Sequence, residues 1–171
     1  IMGYKQEDIE KNLKNLKERY FYYLGENIHK YEVIVYPGIK ELLQILKKRD
    51  DIALGLLTGN FTESAKIKLS VCNLFDYFSF GAFGDDAPMR NLLPEVAKKR
   101  IDTIYKIDIS FKDVIIIGDT IYDIRCAKYA GAVSVAVGTG WVPADILLKE
   151  NPDYFFPDLS DFQQFLKLLE D

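Results

Sequence analysis

The chain has 171 residues, with 22 Lys and Arg against 26 Asp and Glu, 49% hydrophobic residues and a formal net charge of −4. That is enough apolar material for one buried core and too much for a disordered chain, while the slightly acidic balance gives no general basic field for nucleic acid or anionic lipid. No apolar run reaches the roughly 18 residues of a membrane span, and the N-terminus lacks the basic-then-apolar order of a signal peptide, so a cytoplasmic protein without a nucleic-acid or membrane partner is expected. Cys72 and Cys126 have no CxxC spacing and no Cys or His companions, which suits indifferent thiols. Oligomeric state is not written in these residues.

In chain order, Ile9, Leu13, Leu16, Tyr20, Tyr23, Leu24 and Ile28 recur at spacings of three and four, which predicts one long amphipathic helix from Lys5 to about Lys30. Pro37-Gly38 then punctuates the chain. From there short apolar runs alternate with helix-length periodic segments, the pattern of βαβ units and hence of an α/β, Rossmann-like three-layer parallel sheet. Helices are predicted over 39–49, 61–71, 92–105, 121–129, 143–149 and 159–169. Strands are predicted over 52–57, 77–80, 114–117, 133–137 and 154–156. The β-branched run Val114-Ile115-Ile116-Ile117 is of the kind buried on both faces. Two regions follow: 1–34, dominated by the long helix, and the α/β core over 35–171.

In open parallel sheets ligands sit beyond the carboxyl ends of the strands, where loops turn into helix N-termini. The first such loop is Thr58-Gly59-Asn60, with a hydroxyl, a residue that lets backbone approach a ligand, and an amide ahead of the next helix. Asn60 and Glu63 could equally form a capping box with no ligand at all. In the loop Gly118-Asp119-Thr120-Ile121-Tyr122-Asp123, the two Asp are one helical turn apart and can converge as hard oxygen ligands suited to Mg2+. Capping of the helix by Thr120 and Asp123 is the alternative there. A third loop carries Asp85 and Asp86, which suit a turn or a helix entry, and Arg90, whose planar donor fork fits a phosphate. The loop Gly138-Thr139-Gly140-Trp141 is glycine-rich but is not GxGxxG, so it is a weak nucleotide signal.

The order of these pieces, with Ile116-Ile117-Gly118-Asp119-Thr120-Ile121-Tyr122-Asp123 ahead of Ala130-Gly131-Ala132, resembles the haloacid dehalogenase superfamily, and within it the phosphoglycolate-phosphatase-like branch. The resemblance runs from about Val35 to Asp171, and the long N-terminal helix is similar to the trailing part of that family's helical cap. It implies a Mg2+-dependent phosphomonoester hydrolase acting on a small phosphorylated metabolite through an aspartyl-phosphate. Carried across, Thr58 and Arg90 are the catalytic residues, with Thr58, Gly59, Asn60 and Arg90 binding phosphate. Asp119 holds the metal directly and Asp123 holds it directly or through water. The family's third motif usually has Lys; here Arg90 stands in its place, with Lys98 as the other candidate.

The family's first motif, DxDx[TV], carries the nucleophile, and no DxD occurs in this sequence. The strand bearing that motif lies in the family between those corresponding to 52–57 and 114–117. Without it, backbone polar groups on both neighbours would be unpaired. A longer polypeptide that supplies this strand is therefore expected, and the 171 residues alone are expected to show no turnover. A catalytically inactive binding or regulatory module on the same fold is the alternative.

Overall fold

A computed structural model describes residues 5–170, with no description of the side chains of Gln6, Ile9 and Glu10. The side chain of Ile9 in the expected apolar stripe and the outermost residues of the two expected regions thus lie outside this description. The long helix, α1, spans Gln6–Asn27 and runs into a single 3-10 turn at Ile28–Lys30. Glu7 and Asp8 sit in its first turn, where they complement the helix dipole. Its main contacts are with a later helix, α3, and its Leu16, Tyr22 and Tyr23 remain exposed.

The rest of the chain alternates as the sequence predicts. Helix α2 is Ile39–Leu46, strand β1 Gly55–Leu57, α3 Thr62–Ser70, β2 Phe80–Ala82 and α4 Leu93–Tyr105. Then come β3 Ile115–Gly118, α5 Ile121–Ala130, β4 Val133–Val137, α6 Ala144–Lys149, β5 Tyr154–Phe156 and α7 Phe162–Lys167. Every strand pairing is parallel. Two predicted strands move: the first shortens to Gly55–Leu57, and the second shifts to Phe80–Ala82 because Phe75–Tyr77 closes a 3-10 turn after Asn73, which has a positive φ. The final helix is shorter than its apolar pattern suggests, since it starts only at Phe162.

The core is built on β4. Its period of two sends Val135 and Val137 to one face, against Leu42 and Leu46 of α2 and Phe165 of α7. Ala136 goes to the other face, with Ile124 of α5 and Leu147 of α6. Strand order in this sheet is β3-β4-β5, whereas β1 and β2 form a separate pair. Among the described residues no ladder joins β1 to β3. This corrects the expectation that 114–117 is buried on both faces: Ile116 is buried, but Ile117 is 40% exposed. Alternate residues of a strand face opposite sides, and here only one side of β3 is covered at that level.

The strand ends nevertheless share one rim. β1 leads into Thr58, β2 into the 83–90 loop, β3 into Asp119 and β4 into the 138–142 loop. Among the described residues no helix is long and apolar enough to cross a membrane.

Candidate active site

The loop after β1 is held mainly by its own polar groups. The Thr58 N–H donates to the Ala82 carbonyl at 3.0 Å, extending the β1–β2 ladder, and the Asn60 carbonyl accepts from the Gly84 N–H at 2.8 Å. The Thr58 hydroxyl oxygen accepts from the Asn60 backbone N–H at 3.1 Å and from Asn60 Nδ2 at 3.0 Å. Asn60 Oδ1 in turn accepts from Lys68 Nζ at 2.8 Å. A capping box from Asn60 and Glu63 does not form: the N-cap of α3 is Phe61, and the Thr62 N–H is taken by Asp85 Oδ2 at 2.7 Å. An anion-accepting helix start is thereby supplied from a different loop, which frees Asn60 for Thr58.

Asp85 also accepts from Lys17 of α1 at 2.6 Å, while the Lys17 ammonium lies 4.2 Å from the centre of the Phe61 ring. Partial burial pulls the Asp85 carboxyl upward, but Lys17 and the Thr62 N–H outweigh it and leave it below the usual carboxylate value. Asp86 accepts two bonds from Arg100, at 2.6 and 2.8 Å, and one from the Phe83 N–H at 2.8 Å. The Arg100 guanidinium holds the Asp86 carboxyl below its usual range. Both acids of the pair are thus committed to structure.

On the β3 side the two predicted carboxylates differ. Asp123 is buried, and its Oδ2 accepts from the Thr120 N–H at 3.0 Å and the Thr120 hydroxyl at 2.7 Å, completing a capping box at the start of α5. Its Oδ1 meets Arg90 Nη2. Asp119 is half-buried, and its carboxylate accepts no hydrogen bond from another of the described residues. Two glycines permit this packing: a Cβ on Gly140 would lie 2.2 Å from Asp119 Oδ2, and one on Gly118 would lie 2.1 Å from Asp123 Cγ. The 138–142 loop, a weak signal in the sequence, is therefore a wall of the Asp119 site.

Arg90 joins the two halves. Its Nη2 reaches Asp123 after β3, while its Nη1 lies 3.3 Å from where a Gly59 Cβ would stand after β1. Arg90 Nε is buried with no hydrogen-bond partner among the described residues, which costs about 1–3 kcal/mol unless an acceptor is supplied. Lys98 is not brought to this place; its ammonium pairs with Asp102 at 2.8 Å and Asp108 at 2.6 Å. Beneath Arg90, the Cys126 thiol donates to the Arg90 carbonyl at 3.3 Å. Burial pushes that thiol up to about 11, so it stays protonated and inert near neutral pH.

Thus Thr58, Gly59, Asn60 and Asp119 on loops, Arg90 at the start of a 3-10 turn and Asp123 in the first turn of α5 lie along one rim, with direct contacts linking Thr58 to Asn60 and Arg90 to Asp123. Residues 1–137 match the family described as haloacid dehalogenase-like hydrolase. The chain belongs to that family. It is 30% identical over 146 residues to a candidate pyrophosphatase of Caldanaerobacter subterraneus subsp. tengcongensis, covering 85% of this chain and 63% of that one. It is 28% identical over 164 residues to the phosphoglycolate phosphatase of Pasteurella multocida, covering 94% and 68%. The chain therefore spans about two thirds of the length of these curated relatives. A hydrolase from Pseudomonas syringae superposes with a TM-score of 0.71 at 23% identity, over 98% of this chain and 72% of that one. A phosphatase of the same superfamily from Thermococcus onnurineus gives 0.64 at 24% identity, over 86% and 64%. At such identities the two structures establish the haloacid dehalogenase-like fold.

Sequence reasoning missed Lys68 and Arg100, and it did not say that the helix entered by Asp85 is α3. Lys68 did carry a signal: it lies two helical turns beyond Phe61, on the face that looks back to the helix start, and helix side chains tilt toward the N-terminus.

Proposed function

We propose that this chain carries the phosphate-binding and metal-binding part of a phosphomonoester hydrolase acting on a small phosphorylated metabolite. The observation that carries the reading is Arg90, whose guanidinium lies between the Gly59 loop and Asp123 with one buried donor left over. A phosphoryl group seated there would accept from Arg90, from the Thr58 hydroxyl and from the Gly59 N–H, while the Asn60 donors stay on Thr58. The Asp119 carboxylate fits Mg2+, since it is half-buried without an intramolecular partner and such ions take one or two carboxylates with water and phosphate oxygens. Because both Asp123 oxygens already accept hydrogen bonds, its part is the water-mediated one. When bound, Mg2+ would neutralise charge developing on the phosphoryl oxygens.

In this reading the nucleophilic Asp arrives on a further strand between β1 and β3, the two strands that no ladder joins. Its carboxylate oxygen bonds to phosphorus as the ester P–O bond breaks, and the departing alkoxide takes a proton from water and leaves as the alcohol. Water then cleaves the aspartyl-phosphate to inorganic phosphate. Helix α1 belongs to a cap over the rim, clasped by the Lys17–Asp85 pair. The names of the phosphatase relatives support a phosphorylated substrate.

The test is release of p-nitrophenolate from p-nitrophenyl phosphate by the protein carrying that strand, with Mg2+ and with chelator. Turnover should vanish with chelator, and Asp119→Asn should lower kcat by about 100-fold or more. Chelator-insensitive turnover, or unchanged kinetics in Asp119→Asn, would overturn the reading. A binding module is the second reading, favoured by the lack of any DxD in the sequence; binding of phosphate without turnover in the protein carrying the further strand would select it.

A further inference from the structure

We infer that Lys68 is a positioning residue that, through the Asn60 amide, aims the Thr58 hydroxyl proton out of the loop and toward the crevice. The inference rests on the proposal that Thr58 meets a phosphoryl oxygen. A hydroxyl has one proton and two acceptor sites. Both acceptor sites of Thr58 are filled, by the Asn60 N–H at 3.1 Å and by Asn60 Nδ2 at 3.0 Å. The proton then has no use within the loop and is presented outward as a donor.

Which way the Asn60 amide faces decides this. Turned over, the amide would place its oxygen against Thr58, accept the hydroxyl proton, and remove the donor from the crevice. An asparagine alone has little preference between the two arrangements, since its oxygen and nitrogen have nearly the same shape. Lys68 breaks the tie, because an ammonium can only donate. Its Nζ lies 2.8 Å from the amide atom on the far side from Thr58, so that atom must be Oδ1 and Nδ2 must face the hydroxyl. The lysine acts eight residues away from the amide it sets, across the first two turns of α3.

The test uses the protein carrying the further strand, with the 15N–1H signals of the Asn60 side chain as a readout of amide orientation and inorganic phosphate as the titrated probe. In Lys68→Met the Asn60 NH2 signals should shift and lose their hydrogen-exchange protection, while Lys68→Arg, which keeps a pure donor, should retain them. Phosphate binding should weaken about five- to tenfold in Lys68→Met, the equivalent of one misdirected hydrogen bond. Asn60→Leu should weaken it by as much, and in that background Lys68→Met should do little more. Unchanged Asn60 signals in Lys68→Met would overturn the relay. So would equal losses from Lys68→Met in the wild-type and Asn60→Leu backgrounds, which would mean that the lysine acts through its charge alone. If the Asn60 signals respond as expected but Thr58→Ala binds phosphate as well as wild type, the relay stands and the phosphate-site proposal falls.

Discussion

The β3-β4-β5 half and the β1-β2 half of the molecule are built from similar short apolar strands, yet among the described residues only the first has a strand paired on both edges. β4 has helices on both faces and strands on both edges, so Val135 and Ala136 are almost wholly buried. In β1, Gly55 is exposed and Leu56 and Leu57 are half-buried. What differs is how many neighbours each strand has, more than its composition: burial is a property of layers, and a strand lacking one neighbour loses both ladder bonds and side-chain cover.

The largest expected effect tests this contrast. Phe165→Ala, in the core under β4, should cost about 3–5 kcal/mol in urea unfolding, whereas Leu56→Ala in β1 should cost about 1–2 kcal/mol. Equal costs would erase the distinction between the halves. Next comes the bridge between them: Arg90→Met would leave the buried Asp123 carboxylate without its cation. We expect a loss of about 2 kcal/mol, below the full value for a buried pair because the Arg90 side chain is 29% exposed. A thermal shift near zero would show that Arg90 does not tie the halves together.

A smaller effect concerns the α1 clasp. Asp85→Asn should lower Tm slightly at pH 7, and the difference should shrink as the pH falls. The Asp85 carboxyl is held below its usual value of 3.8, so its stabilisation is fully present above about pH 4 and is lost as pH drops through the lowered value. A Tm difference that grew on acidification would contradict the clasp. Smallest of all, Asp119→Asn should leave stability within about 0.5 kcal/mol, since its carboxylate has no intramolecular partner to lose. Thermal denaturation with and without Mg2+ checks the pair of expectations, because stabilisation by the ion should disappear in this variant.

Much of this was legible in the residues. The alternation of short apolar runs with 3.6-periodic segments gave the element order, and β4 falls on the predicted bounds because Ala130-Gly131-Ala132 and Gly138 punctuate it. Boundaries failed where local turn chemistry intervened, as at Phe75–Tyr77, a 3-10 turn that takes the first residue of the strand predicted over 77–80. The candidate site was legible as a set of loops, since Thr58, Arg90, Asp119 and Asp123 all stand near strand ends. Their division of labour was not. Asp119 and Asp123 are the same residue type one helical turn apart, and nothing local says that Arg90, distant in sequence, engages one and leaves the other free.

The sequence by itself determined the α/β order and the loops that carry polar groups, because periodicity and turn residues act over a few neighbours, and the family entered as a resemblance carried by the motif at Gly118–Asp123. Only the tertiary structure decided which polar atoms are already occupied. Hydrogen bonds such as Asp85 to the start of α3, Arg90 to Asp123 and Lys68 to Asn60 depend on where separate segments come to rest. Each has strict donor and acceptor limits, so one such contact settles what its partner has left to offer.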